Sequence, residues 1–93
     1  MALSFTPERA VYDADRRMVR FFAHDEALLV RCAVTRRALA AVASDQSIES
    51  DDPLALYRKL KARIHAVARR KYREHLREAD GLIVVRRKDL SAN

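Results

Sequence analysis

The side chains best equipped for chemistry in this chain are cations. Nine Lys or Arg residues stand between Pro53 and Glu78: Arg58, Lys59, Lys61, Arg63, Arg69, Arg70, Lys71, Arg73 and Arg77. Only two acids, Glu74 and Glu78, share the stretch. The excess of seven is larger than the +6 of the whole chain, so everything outside it is slightly acidic. Cations at helical spacing can follow a row of phosphates or carboxylates, with an attraction that depends on salt and ignores base sequence. On a helical wheel Lys59, Arg63, Arg70, Arg73 and Arg77 fall opposite Tyr57, Leu60 and Ile64. Those five are the candidate anion- or nucleic-acid-binding residues. The competing reading is the solvated face of an amphipathic helix, tied in part by Arg70 and Glu74 at i,i+4.

Other reactive residue types point to less. Cys32 with His24, His65 and His75 could supply a thiolate and a base. Cys32 alternates with Val30 and Val34, however, which reads as a buried, inert thiol. The three histidines lack any HExxH or CxxC spacing, and His65 and His75 are ten positions apart, too far to chelate one ion. His75 is placed on the apolar face near the helix end. Tyr12 and Asp13 with Arg16 and Arg17 could hold a small anion, but turn chemistry with a tyrosine anchor explains them better. Lys61 and Lys71, at the edges of the apolar face, read as snorkelling stems. No catalytic set, metal site or cofactor motif emerges, and the expectation is a protein that is not an enzyme. Base-specific reading has no support either, since helix-turn-helix, zinc-finger and aromatic RNA-recognition patterns are missing.

The elements that must position these residues follow from periodicity. Leu3 to Phe5 reads as a short strand, broken at Pro7, and Val11-Tyr12 resumes extended structure before an Asp13–Arg16 turn. Residues 17–23 and 27–34 alternate as two strands around the polar break His24-Asp25-Glu26, an antiparallel hairpin. Thr35 suits the N-cap of a short helix over 36–43. Residues 44–52 form an acidic, flexible loop. Asp52-Pro53 carries two start signals for the long helix, a capping carboxylate and a proline at the first helical position. Tyr57, Leu60, Ile64, Val67 and Ala68 form its apolar face, bordered by Leu54, Tyr72 and Leu76. The pattern runs to Glu78, with Gly81 suited to the left-handed position that ends a helix. Residues 82–86 read as a last strand and 91–93 as a frayed end.

Three segments resemble the bacterial domain-of-unknown-function family 1488. They are Phe5, Arg9, Tyr12 and Asp13 with Arg17-Met18-Val19-Arg20-Phe21; Val30 to Thr35 with Ala38-Leu39; and Arg63 to Ala68 with Lys71-Tyr72, Gly81, Ile83 and Asp89. The resemblance implies a small α+β domain and no established activity.

The 93 residues predict one α+β domain: a small antiparallel sheet, with a C-terminal strand added to the hairpin, packed against one long and one short helix. Val19, Phe21, Leu28, Val30, Cys32, Val34, Ile83 and Val85 should meet the long helix. A single Cys excludes an intrachain disulfide, and MALSFTPERA lacks the pattern of a secretory leader. Apolar runs are too short to span a bilayer. These features predict a cytoplasmic binding or regulatory module that contacts an acidic partner, nucleic acid or protein, through its basic helix. The alternative is a protein-interaction or homo-oligomerisation module using the hairpin surface near Phe22 and Leu29.

Overall fold

The computed structural model describes residues 3–91; Met1, Ala2, Ala92 and Asn93 lie outside the described residues. Five strands and three helices follow one another as β1 (Ser4–Phe5), β2 (Val11–Asp13), β3 (Met18–Asp25), β4 (Leu28–Thr35), α1 (Arg36–Asp45), α2 (Pro53–Arg73), β5 (Ile83–Val85) and α3 (Arg87–Ser91). A 3-10 turn at Pro7–Arg9 separates β1 from β2. Both short strands pair antiparallel with β3, on the edge away from β4, so they act as one edge strand interrupted by Pro7. The fold is α+β.

The hairpin is tighter than its sequence suggests. Pairing runs without a break from Met18↔Thr35 to Asp25↔Leu28, leaving Glu26 and Ala27 to turn the chain. Glu26 takes a left-handed φ of 56° to do so. In a chain with a single glycine, such positions fall to other residues: Arg17, Ser47 and His75 also have positive φ.

The sheet is mixed and not wholly antiparallel, because β5 runs parallel to β4 (Cys32↔Ile83, Val34↔Val85). The long helix is the cause. At about 1.5 Å per residue, α2 carries the chain some 30 Å back towards the start of β4, and the next strand leaves in the same direction.

One face of the sheet and the helices enclose the core. Val19, Phe21, Val30, Cys32, Val34, Ile83 and Val85 meet Tyr57, Leu60, Ile64, Val67 and Ala68 of α2, with Leu39 and Val42 of α1. Leu28 is the exception to the expected core. It shares their face but is 56% exposed, because it pairs with Asp25 at the hairpin tip, where α2 has ended. On the opposite face Ala33, Leu82 and Val84, joined by Met18, form a small second cluster. Val11 and Leu29 on that side stay about half exposed.

Both helix starts are capped as their sequences require. Thr35 Oγ1 accepts from Ala38 N at 3.1 Å, and Asp52 Oδ1 accepts from Leu54 N at 3.0 Å. The helix ends depart from expectation. α2 stops at Arg73, five residues before Glu78. Its last turn closes with His75 N on Tyr72 O (3.2 Å) and Leu76 N on Lys71 O (2.8 Å), around a left-handed His75 at φ 58°. This is a Schellman closure with histidine where glycine is usual. Leu76 and His75 therefore leave the apolar face and are exposed. Gly81, at φ 84°, serves the turn that feeds β5. α1 likewise runs on through Asp45 and closes around Ser47, with Ile48 N on Ala43 O at 2.8 Å. The acidic loop thus begins at 46 and not at 44. Of the expected frayed end, Ser91 closes α3 and the last two residues lie outside the described range.

Candidate functional site

Within α2 itself the charge asymmetry is complete: eight cations and no acid over 21 residues. Packing divides them. Lys71 is no snorkelling stem, since its Nζ lies 2.8 Å from Asp89 Oδ2 and donates to Val84 O at 2.9 Å, with both side chains nearly buried. That contact also occupies a carbonyl of β5. Burial alone would raise the Asp89 carboxyl, but the Lys71 hydrogen bond, the Arg86 N–H and nearby positive charge hold it below the usual carboxylate range. Arg63 donates through Nη2 to Leu90 O and thereby fastens α3. Arg69 lies 5.0 Å above the Phe5 ring.

Of the five candidates read from the sequence, Lys59, Arg70 and Arg73 do share the outer side of α2. Arg63 is turned towards α3. Arg77 lies past the helix end, with its guanidinium 5.0 Å from the Tyr72 ring, and cannot extend a helical stripe. Arg58 and Lys61 are exposed on the helix as well. Arg58, Lys59, Lys61, Arg70 and Arg73 enter no ion pair among the described residues. Glu74, expected to tie Arg70, caps the helix through its own N–H on Arg70 O at 3.0 Å.

A second basic surface lies elsewhere, and strand register builds it. Met18 pairs with Thr35 and Val34 with Val85, so the start of β3, the end of β4 and the end of β5 coincide. The residues just beyond those ends are Arg16-Arg17, Arg36-Arg37 and Arg86-Arg87-Lys88. With Thr35 and Ala40 they line a groove of about 840 Å³ that has, among the described residues, no acidic side chain in its wall. From outside the wall, Asp80 reaches Arg16 at 3.7 Å and Glu78 reaches Arg86 at 3.2 Å. Arg17, Arg36 and Arg37 have no ion pair among the described residues. The available sequence signal is three Arg-Arg pairs, each at the end of an element. Only the pairing of β5 with β4 shows that they meet. Asp13, whose Oδ1 accepts from Arg16 N at 3.1 Å and whose Oδ2 lies 3.2 Å from Arg20, holds the turn as expected.

Two of the reactive residues weighed in the sequence, Cys32 and His65, are spent on packing. Cys32 is buried and its thiol is pushed up to about 12 by desolvation, against a smaller opposing pull from Arg77. It has no thiolate character near neutral pH. His65, absent from the expected core, is buried: its ring stacks on Phe5 at 4.0 Å and its Nε2 lies 2.7 Å from Tyr57 Oη. Burial pushes His65 down to about 4, with Arg69 and Lys61 adding to the effect. Burial also raises the Tyr57 phenol, so a neutral hydroxyl shares this hydrogen bond with a neutral imidazole. The sequence signal was the eight-residue spacing from Tyr57, which puts the two on neighbouring lines of one helix. Among the described residues no helix is long and apolar enough to cross a membrane.

With this geometry in hand, comparison with known proteins is informative about ancestry. The family model "Protein of unknown function (DUF1488)" matches residues 3–85. The chain belongs to that family. No curated relative matches it. Among solved structures it is similar to the crystal structure of a DUF1488-family protein of unknown function from Shewanella loihica PV-4. That similarity has a TM-score of 0.75 at 20% identity, over 89% of this chain and 90% of the other. At this identity the likeness speaks for the shared fold alone. Every strand and the whole of α1 and α2 fall inside the matched range, whereas α3 follows it.

Proposed function

We propose that this DUF1488 domain is a non-enzymatic binding module that holds an extended acidic polymer, with nucleic acid as the reference case, along the outer side of α2. The observation that carries this reading is the run of eight cations without an acid, seven of them outside any ion pair among the described residues. Arg58 and Arg73 are separated by about 22 Å at 1.5 Å rise per residue, a span that covers several phosphates. Ala62 and Ala66 are exposed between them and let a backbone approach closely. Contacts of this type fix position and affinity and carry no base code.

A labelled duplex of about 20 base pairs should bind with a log–log salt slope of roughly −3.6 to −4.5 if four or five phosphates are neutralised. Reversing Lys59, Arg70 and Arg73 to Glu should remove binding and leave the far-UV spectrum and melting cooperativity unchanged. Absence of binding by the wild-type protein at low salt would overturn the proposal.

A second reading, self-association through the outer sheet face, has its own support in half-exposed Val11 and Leu29. Mass by light scattering across a concentration series separates the two, because phosphate contact along α2 needs no dimer.

A further inference from the structure

We infer that the groove at the shared strand ends is a second, separate site, and that it takes an oligophosphate group, two or more linked phosphates, on Arg17, Arg36 and Arg37. Three observations converge. Strand pairing gathers cations from three distant segments into one concavity with no acidic side chain in its wall among the described residues. Arg17, Arg36 and Arg37 have no ion pair among the described residues, and like charges held close repel, so their arrangement is unfavourable until an anion enters. Arg36 and Arg37 also occupy the first turn of a ten-residue helix that has no acid there, the end at which a positive charge opposes the helix dipole. An anion in the groove reverses the sign of both effects.

The chemistry of the wall selects the ligand. Guanidinium groups fork onto phosphate oxygens in pairs, and three of them match several oxygens on one chain of phosphates. Asp80 and Glu78 occupy Arg16 and Arg86 at the rim, leaving Arg17, Arg36 and Arg37 for the ligand. The volume of about 840 Å³ exceeds what one inorganic phosphate needs and admits a ligand of nucleotide size. The Thr35 and Ala40 side chains supply less polar wall beside the cations. Linked phosphates reach the protein either as an inorganic chain or as part of a nucleotide, and both sources are tested together.

Titration calorimetry at about 0.15 M salt, where diffuse surface attraction is largely screened, should show saturable binding of inorganic tripolyphosphate and of ATP. Equal affinity for the two assigns recognition to the phosphate chain alone. Tighter binding of ATP adds a nucleoside contact. Sulfate at matched ionic strength should bind at least tenfold more weakly. The double variant Arg36→Gln, Arg37→Gln should lose about tenfold or more in affinity and should melt no lower than wild type, since it removes repulsion. The variant Lys59→Glu, Arg70→Glu, Arg73→Glu should keep tripolyphosphate binding, which separates this site from the α2 surface. Failure of both tripolyphosphate and ATP to bind, affinity no better than sulfate, or equal loss in the α2 variant would overturn the inference.

Discussion

Acid should loosen this domain through one side chain, His65. The imidazole is buried against Phe5 and hydrogen-bonded to the Tyr57 hydroxyl, and its protonated form is disfavoured by desolvation and by Arg69 and Lys61. In the unfolded chain it titrates near 6.5, and in the folded chain at about 4. Between those values the unfolded state holds more protons, so stability rises with pH across the window. The contribution is complete above 6.5 and is lost as pH falls through 4. At 1.36 kcal/mol per pH unit the full difference would approach ~3 kcal/mol, which solvent at the ring edge reduces to about 1–2 kcal/mol. Urea unfolding of wild type and His65→Gln at intervals from pH 7.5 to 4 isolates it. Glutamine can still accept from Tyr57 but carries no titrating proton. The variant should start about 1–2 kcal/mol less stable, through lost stacking and packing. The two curves should then converge as the pH falls. Carboxylates titrate in both proteins and cancel. Curves that remain parallel across the window would refute the reasoning, as would a His65 imidazole proton signal that titrates near 6.5 in the folded protein.

Other outcomes follow from single contacts. Leu60→Asp places an unpaired charge at a position only 5% exposed and should abolish the cooperative melt; a folded variant would show the core assignment to be wrong. Lys71→Met leaves Asp89 nearly buried without its partner and should cost about 2–4 kcal/mol by urea denaturation, more than any fully exposed α2 cation would. His75→Gly relieves a left-handed histidine in the α2 closure and should raise stability by about 1 kcal/mol. Cys32 should react with a disulfide reagent only at the rate of unfolding, so modification without denaturant in minutes would contradict its burial.

How much of this was legible in the sequence depends on the range of the signal. Caps and the hairpin were legible because Thr35, Asp52 and the alternation across 18–34 act within a few residues of themselves. The end of α2 was not. A glycine rule looks to Gly81, but the closure needs only one residue that tolerates positive φ, and His75 supplies it six positions earlier. Leu28 was misplaced for the same reason, since its burial depended on helix that does not exist past Arg73. Charge shows the contrast most clearly. A helical wheel can say which cations face away from Leu60, but it cannot say that Lys71 finds Asp89 or that Arg63 finds the Leu90 carbonyl, because α3 reaches them only through the tertiary fold. Nor can any local pattern bring Arg17, Arg36 and Arg86 together. Their meeting is a consequence of register, and the decisive pair, Val34 with Val85, is parallel and separated by two helices. The basic helix announces itself in composition, whereas the groove exists only once the sheet has closed.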